Sequence, residues 1–135
     1  SGGDWSFGQL NESHRQKWNF KSALNMFLGY QYFIDFMGKT TQARYDNEEG
    51  AHAVSAKHPG INRYSIGICL QGNFNEREPT TNQLMELRKL VDKKKLEYNI
   101  PNDKVLGHRE ISQTDCPGLF LFRWLIVNYP NTKVA

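Results

Sequence analysis

The sequence predicts an α/β domain in which helices pack on a β-sheet. Short β-branched and aromatic runs bounded by turn residues alternate with stretches of 3.6-residue apolar period, giving the order helix, β-hairpin, strand, helix, strand, helix. The chain has 135 residues, 39% hydrophobic and 13% aromatic, enough for one core. No internal repeat, low-complexity tract or linker divides it, so residues 1–135 are expected to form a single domain.

The elements follow in chain order. Phe7, Leu10, His14 and Trp18 recur at helical spacing with Gln9, Asn11, Glu12, Arg15 and Lys17 opposite, which predicts a helix from Phe7 to about Trp18. A second short helix is expected over Ser22 to Phe27. Gly29 to Phe36 is aromatic and β-branched enough for a buried strand, and Met37-Gly38-Lys39 turns it into a hairpin partner over Thr40 to Arg44. Asp46 to Asn62, with its glycines, proline and two histidines, is expected to be a long functional loop. Ser65 to Leu70 returns as a core strand. Thr80-x-x-Gln83 is a capping box opening a helix whose Leu84, Leu87, Leu90 and Val91 form one stripe toward Tyr98. Asn99-Ile100-Pro101-Asn102 ends that helix, a strand ending at Lys104-Val105-Leu106 is expected to deliver His108, and Leu119, Phe122, Leu125, Ile126 and Tyr129 line the last helix.

Charge and cysteine content narrow the function classes. The net charge of +3 is mild, and the one basic run, Lys93-Lys94-Lys95, follows a helical pattern. A solvated helix face is the expectation there, with a polyanion contact as the alternative; no nucleic acid partner is expected. No apolar run approaches the roughly 20 residues that span a bilayer, and Ser1-Gly2-Gly3-Asp4 does not resemble a signal peptide, so neither membrane nor leader is expected in this stretch. Cys69 lies in an apolar strand-like run, where a buried thiol is ordinary, whereas Cys116 lies in a polar loop between Asp115 and Pro117. Two separate thiols are expected rather than a disulfide.

The stretch Gly107-His108-Arg109-Glu110-Ile111-Ser112-Gln113-Thr114-Asp115-Cys116-Pro117-Gly118 carries the most chemistry. It sets an imidazole and a thiol 116 − 108 = 8 residues apart across a short loop, and Pro117 suits the first turn of a helix. These are metal-ligand types, but a catalytic zinc needs three protein ligands and an open fourth position. A third donor has to be found elsewhere. A cysteine hydrolase, with Cys116 at a helix N-terminus and His108 as base, is a further class open to the same residues.

Four blocks, in order, resemble the zinc-dependent N-acetylmuramoyl-L-alanine amidase family, which includes phage T7-type lysozymes and peptidoglycan recognition proteins. They are Gly29-Tyr30-Gln31-Tyr32-Phe33-Ile34; Gly50-Ala51-His52-Ala53; Asn62-x-x-Ser65-Ile66-Gly67-Ile68-x-Leu70-x-Gly72-Asn73-Phe74; and Gly107-His108-Arg109-Glu110 through Thr114-x-Cys116-Pro117-Gly118. The resemblance implies a single mixed β-sheet flanked by helices and hydrolysis of the amide between N-acetylmuramic acid and L-alanine of peptidoglycan. It makes His108 and Cys116 two of three Zn2+ ligands and Tyr30 the active-site tyrosine, and places Thr114 where phage enzymes often carry a catalytic lysine. His52 falls at the cleft, for substrate, oxyanion or direct ligation, and Arg44, Asn62 and Ser65 are candidates for holding the peptide or lactyl group. The implied partner is the muropeptide of the bacterial cell wall, reached by a secreted, periplasmic or phage-released protein.

The chain departs from that pattern at its start. In the family a first strand ends in a histidine that is the remaining zinc ligand, roughly thirty residues ahead of the tyrosine block, and here Tyr30 is only 29 residues from Ser1. The first strand is therefore expected to be absent from this stretch, and either it is supplied by a preceding segment or another chain or the domain manages without it. His14, on the apolar side of the first helix, is expected to pack rather than bind metal, and His58 to be a solvated loop residue. A peptidoglycan-binding module without catalysis is the alternative function, because recognition members of the family lose zinc ligands while keeping the groove.

Overall fold

The computed structural model describes residues 4–53, 58–110, 114 and 116–130. Its elements are α1 (Phe7–Trp18), β1 (Tyr32–Ile34), β2 (Thr40–Gln42), α2 (Ile61–Tyr64), β3 (Ile68–Leu70), α3 (Thr81–Tyr98), two 3-10 turns (Asn102–Lys104 and His108–Glu110) and α4 (Leu119–Asn128). β1 is the central strand, antiparallel to β2 with Tyr32 opposite Gln42, and parallel to β3 with Tyr32 opposite Ile68. The sheet is therefore mixed. Asp35 closes the hairpin, its Oδ1 accepting the Met37 and Lys39 amides at 2.9 Å each, so the expected turn forms where the sequence puts it.

Helices cover both faces, which is why all three residues of β1 are buried. Phe33 joins Leu10, Leu28, Tyr30, Ala43 and Cys69 in a cluster on the α1 side. Ile34 and Leu70 join Phe74, Leu87, Val91, Leu121 and Tyr129 under α3 and α4. The capping box of α3 is present, with the Gln83 amide donating to Thr80 Oγ1 at 3.1 Å and the Thr80 amide to Gln83 Oε1 at 3.0 Å. The same device opens α1 through Ser6 and Gln9. Both helices end on an asparagine in the left-handed region, Asn19 at φ 49° and Asn99 at φ 53°.

Four expectations are corrected. Ser22 to Phe27 is a turn, because Ser22 Oγ donates to Ala43 O at 2.6 Å and accepts the Leu24 and Met26 amides at 3.2 and 3.3 Å, satisfying locally what a helix would satisfy. The strand expected before His108 is absent among the described residues. Val105 has extended dihedrals but no strand pairs with it, and the Gly107 amide donates to Glu110 Oε2 at 2.6 Å, folding the chain into the second 3-10 turn. On α4 the packed residues are Phe120, Leu121, Trp124 and Leu125, while Leu119 and Ile126 are exposed. Finally, Lys94 is not on a solvated face: it is buried, with Nζ 2.7 Å from Asp46 Oδ2, which also accepts the Tyr98 hydroxyl.

Candidate active site

Three segments carry the motif residues, and the first two are in contact beside the start of β1. The first is the bend Gly29–Gln31, whose phenol-bearing Tyr30 stands just ahead of β1 rather than within it. Its ring is stacked on His52, centroids 5.5 Å apart and planes 22° apart, and is 9% exposed. Burial pushes the phenol well above its ordinary pKa, with the Cys69 and Cys116 thiols adding to the effect. It remains protonated across the neutral range, able to donate a hydrogen bond.

The second segment is Gly50–Ala53. Asn62 holds it: its Oδ1 accepts the His52 and Ala53 amides at 3.1 Å each, its Nδ2 donates to Ala53 O at 2.8 Å, and its carbonyl accepts the Gly50 amide at 2.9 Å. The His52 ring lies against Gly67, where a Cβ would come within 2.7 Å of Cδ2. Ser65 Oγ donates to Ile61 O at 2.6 Å and sits 3.5 Å from His52 Nε2, at the outer limit of a hydrogen bond. Burial lowers the His52 pKa to about 4, helped by positive charge at His108 and Arg44. The imidazole is neutral at pH 7.

The third segment runs from His108 to Cys116. The Arg109 amide donates to Cys116 O at 2.8 Å, closing the loop at its two ends, and the Arg109 guanidinium lies 4.8 Å from the Phe122 ring centroid. His108 opens the 3-10 turn, half-buried, its pKa lowered chiefly by burial. Thr114 is exposed and its Oγ1 accepts the Cys116 amide at 3.3 Å. Neither Cys69 nor Cys116 is in a disulfide. Cys116 adds electrostatically to the shift on Tyr30, and His108 to that on His52.

Arg44 is elsewhere. It is 1% exposed; Nε donates to Leu28 O at 2.8 Å, Nη2 donates to Phe20 O, and the guanidinium lies over the Phe20 ring. The substrate-holding role expected of it is corrected to a scaffold role, because no part of the group is left for solvent. Gln31 was missed from the sequence although an amide side chain inside an apolar strand run is a signal. Fully buried, it accepts the Gly67 amide through Oε1 at 2.7 Å and donates through Nε2 to Glu48 O at 2.9 Å, tying the bend to the segments on either side of His52.

The imidazole of His108 and the thiol of Cys116 suit zinc, which favours nitrogen and sulfur donors. Among the described residues, however, no group of three His, Cys, Asp or Glu side chains is placed to hold a metal ion. His14 is no third donor at this site, since its Nδ1 accepts the Gly29 amide at 2.8 Å.

This combination of fold and motif-bearing loops defines a class, and comparison with known proteins agrees. Residues 5–119 match the family described as N-acetylmuramoyl-L-alanine amidase, and the chain belongs to it. It is 35% identical over 116 residues to peptidoglycan-recognition protein SD of Drosophila melanogaster, covering 84% of this chain and 59% of that protein. Among solved structures it resembles the N-acetylmuramoyl-L-alanine amidase LysC from Clostridium intestinale URNW, with TM-score 0.75 and 29% identity over 93% of this chain and 76% of that one. Drosophila PGRP-LB gives TM-score 0.72 and 30% identity over 90% and 65%. The chain thus spans 59% of the length of that first curated relative.

Proposed function

We propose that this chain belongs to a protein that hydrolyses the amide between N-acetylmuramic acid and L-alanine in peptidoglycan. The observation that carries the reading is the stack of the buried Tyr30 on His52, on which Cys116 and His108 act electrostatically. Tyr30, held protonated by burial, would donate to the oxyanion of the tetrahedral intermediate or orient the attacking water. His52, neutral and backed by Asn62, would contact the substrate carbonyl or peptide. Thr114 would contribute at most a hydrogen bond. His108 and Cys116 are proposed as two ligands of Zn2+, which when bound polarises the scissile carbonyl and lowers the pKa of water.

The third ligand is proposed to come from outside the described residues, on a strand added at the outer edge of β3 by a further segment of the protein or by another chain. β3 is one of the two edge strands of the described sheet and pairs only with β1 there. Zinc content and muropeptide cleavage of this chain, compared with a version carrying an upstream strand that ends in histidine, test this. Full stoichiometric zinc in the short form would sink it.

A second reading, a peptidoglycan-binding module, is favoured by the recognition proteins among its relatives and by a solved mutant of Drosophila PGRP-LB in complex with tracheal cytotoxin. Chromatography of muropeptides separates the two. Cleavage that alanine at Cys116 abolishes supports the amidase, whereas binding of a muramyl tripeptide by calorimetry with no cleavage in the extended, zinc-loaded protein supports the module.

A further inference from the structure

We propose that His14 is a positioning residue which, through its Nδ1 and its ring face, fixes where the Tyr30 phenol stands; the proposal rests on Tyr30 being an active-site group. His14 lies on the buried side of α1, 8% exposed, 16 residues before Tyr30 in sequence. Its Nδ1 accepts the Gly29 N–H at 2.8 Å, while the other side of the Gly29 residue is held by the Ala51 amide donating to Gly29 O at 2.8 Å. A Cβ at Gly29 would come within 2.3 Å of Ala51 O, so the backbone approach is as close as glycine alone permits. The peptide leading into Tyr30 is thus gripped from α1 on one side and from the His52 segment on the other.

The ring contacts repeat that arrangement. His14 stacks on Tyr30 at 6.3 Å between centroids and 24° between planes, and His52 stacks on Tyr30 at 5.5 Å and 22°. Trp18, one helical turn after His14, meets the His14 imidazole edge-on at 4.5 Å and blocks it from swinging outward. A purely packing residue at this point of the stripe needs no acceptor, and an apolar side chain would avoid the cost of burying imidazole. The imidazole does two things no apolar side chain can: it satisfies a buried amide and fixes its own tautomer, with the proton on Nε2.

The test combines NMR of the 135-residue protein with turnover. In the wild-type chain, long-range 1H–15N spectra should show His14 as the neutral Nε2–H tautomer at pH 6; an Nδ1–H tautomer or a charged ring overturns the proposal without any substitution. His14→Asn keeps an acceptor near the Nδ1 position and removes the ring, and His14→Phe keeps a ring and removes the acceptor. With tyrosine labelled at Cζ, Tyr30 is assigned by its loss in Tyr30→Phe, and the other five tyrosines report on the fold. Tyr30 should ionise roughly one pH unit or more closer to an ordinary tyrosine in His14→Asn, as water reaches the ring. In His14→Phe the Gly29 amide should lose exchange protection while the five reporters stay in place. Muropeptide cleavage by the zinc-loaded extended protein should fall about tenfold or more in kcat with little change in KM for either variant. Unmoved Tyr30 ionisation and unmoved Gly29 exchange in folded variants overturn the positioning role. Changed NMR signatures with no wild-type cleavage would leave the positioning intact and strike the amidase reading instead.

Discussion

Alanine at Gly67, just ahead of β3, should damage the candidate site. Its Cβ would stand 2.7 Å from His52 Cδ2 and 2.8 Å from Cγ, against an ordinary contact of at least 3.4 Å. The shortfall is 3.4 − 2.7 = 0.7 Å, and the backbone has no freedom to supply it. The Gly67 amide donates to Gln31 Oε1 at 2.7 Å, and its carbonyl accepts the amides of Gln31 and Tyr32 at 2.9 and 3.1 Å. The His52 ring must move instead, and Tyr30 lies stacked against it. Overpacking of this kind costs about 1–3 kcal/mol, and a reacting group displaced by an ångström costs on the order of 100-fold in rate. Thermal unfolding should show a drop of roughly 4 °C per kcal/mol, and ring-proton spectra should show His52 and Tyr30 shifted together. Gly67→Ala with wild-type melting temperature and unchanged His52 resonances would falsify the packing argument.

Four further outcomes are expected. Arg44→Ala should lower stability by at least about 2 kcal/mol in urea unfolding, since it strips the Leu28 and Phe20 carbonyls of a charged donor; a rise in KM at unchanged stability would restore the substrate role instead. His14 has a pKa lowered to about 4 by burial, so the folded form disfavours its protonation. Its contribution is complete above the ordinary value of 6.5 and is lost as pH falls from there toward 4, so urea midpoints should decline over that window and decline less in His14→Phe. Asp46 has a pKa depressed by its bonds from Lys94, Tyr32 and Tyr98, so its share persists down to the carboxylate range and is lost below it; Asp46→Asn should flatten the most acidic part of the profile. Tyr30→Phe should reduce turnover far more than stability, and equal losses in both would mark a core aromatic.

Local rules made the helices and the hairpin legible. Thr80 and Gln83 form the capping box their spacing announces, and Asp35 closes the turn that Met37-Gly38-Lys39 suggests. Where several local solutions compete, the pattern misled. Ser22 could have begun a helix but its hydroxyl reaches Ala43, 21 residues away, which no local window contains. α4 is apolar on nearly every side, so periodicity could not tell which residues face the core. Lys94 sits in a basic run that looks solvated, and only the fold reveals that Asp46, 48 residues earlier, meets it at the same depth. For the site, the motif blocks name Tyr30 and His52, which the structure stacks on one another, while nothing in the sequence told that Arg44 is buried.

The support of the site was not legible, and the reason is physical. None of its groups stands on a regular strand or long helix: Tyr30 is on a bend, His52 on a loop held by Asn62, and His108 on a 3-10 turn. Loops lack the ladder bonds that make strands rigid, so precision has to come from side chains that bond backbone. Gln31, Asn62 and His14 each do so, spending polar groups on the amides of Gly67, His52 and Gly29. Such residues carry no chemistry of their own and leave no periodic trace. Burial lowers both imidazoles to about 4 without leaving them idle: neutral, His14 accepts the Gly29 amide, and both rings stack on the Tyr30 phenol. On this argument the polar groups around Tyr30 act as one frame, so substitutions at Gln31 and His14 should couple through Tyr30 rather than add, as double-mutant cycles on its ionisation can measure.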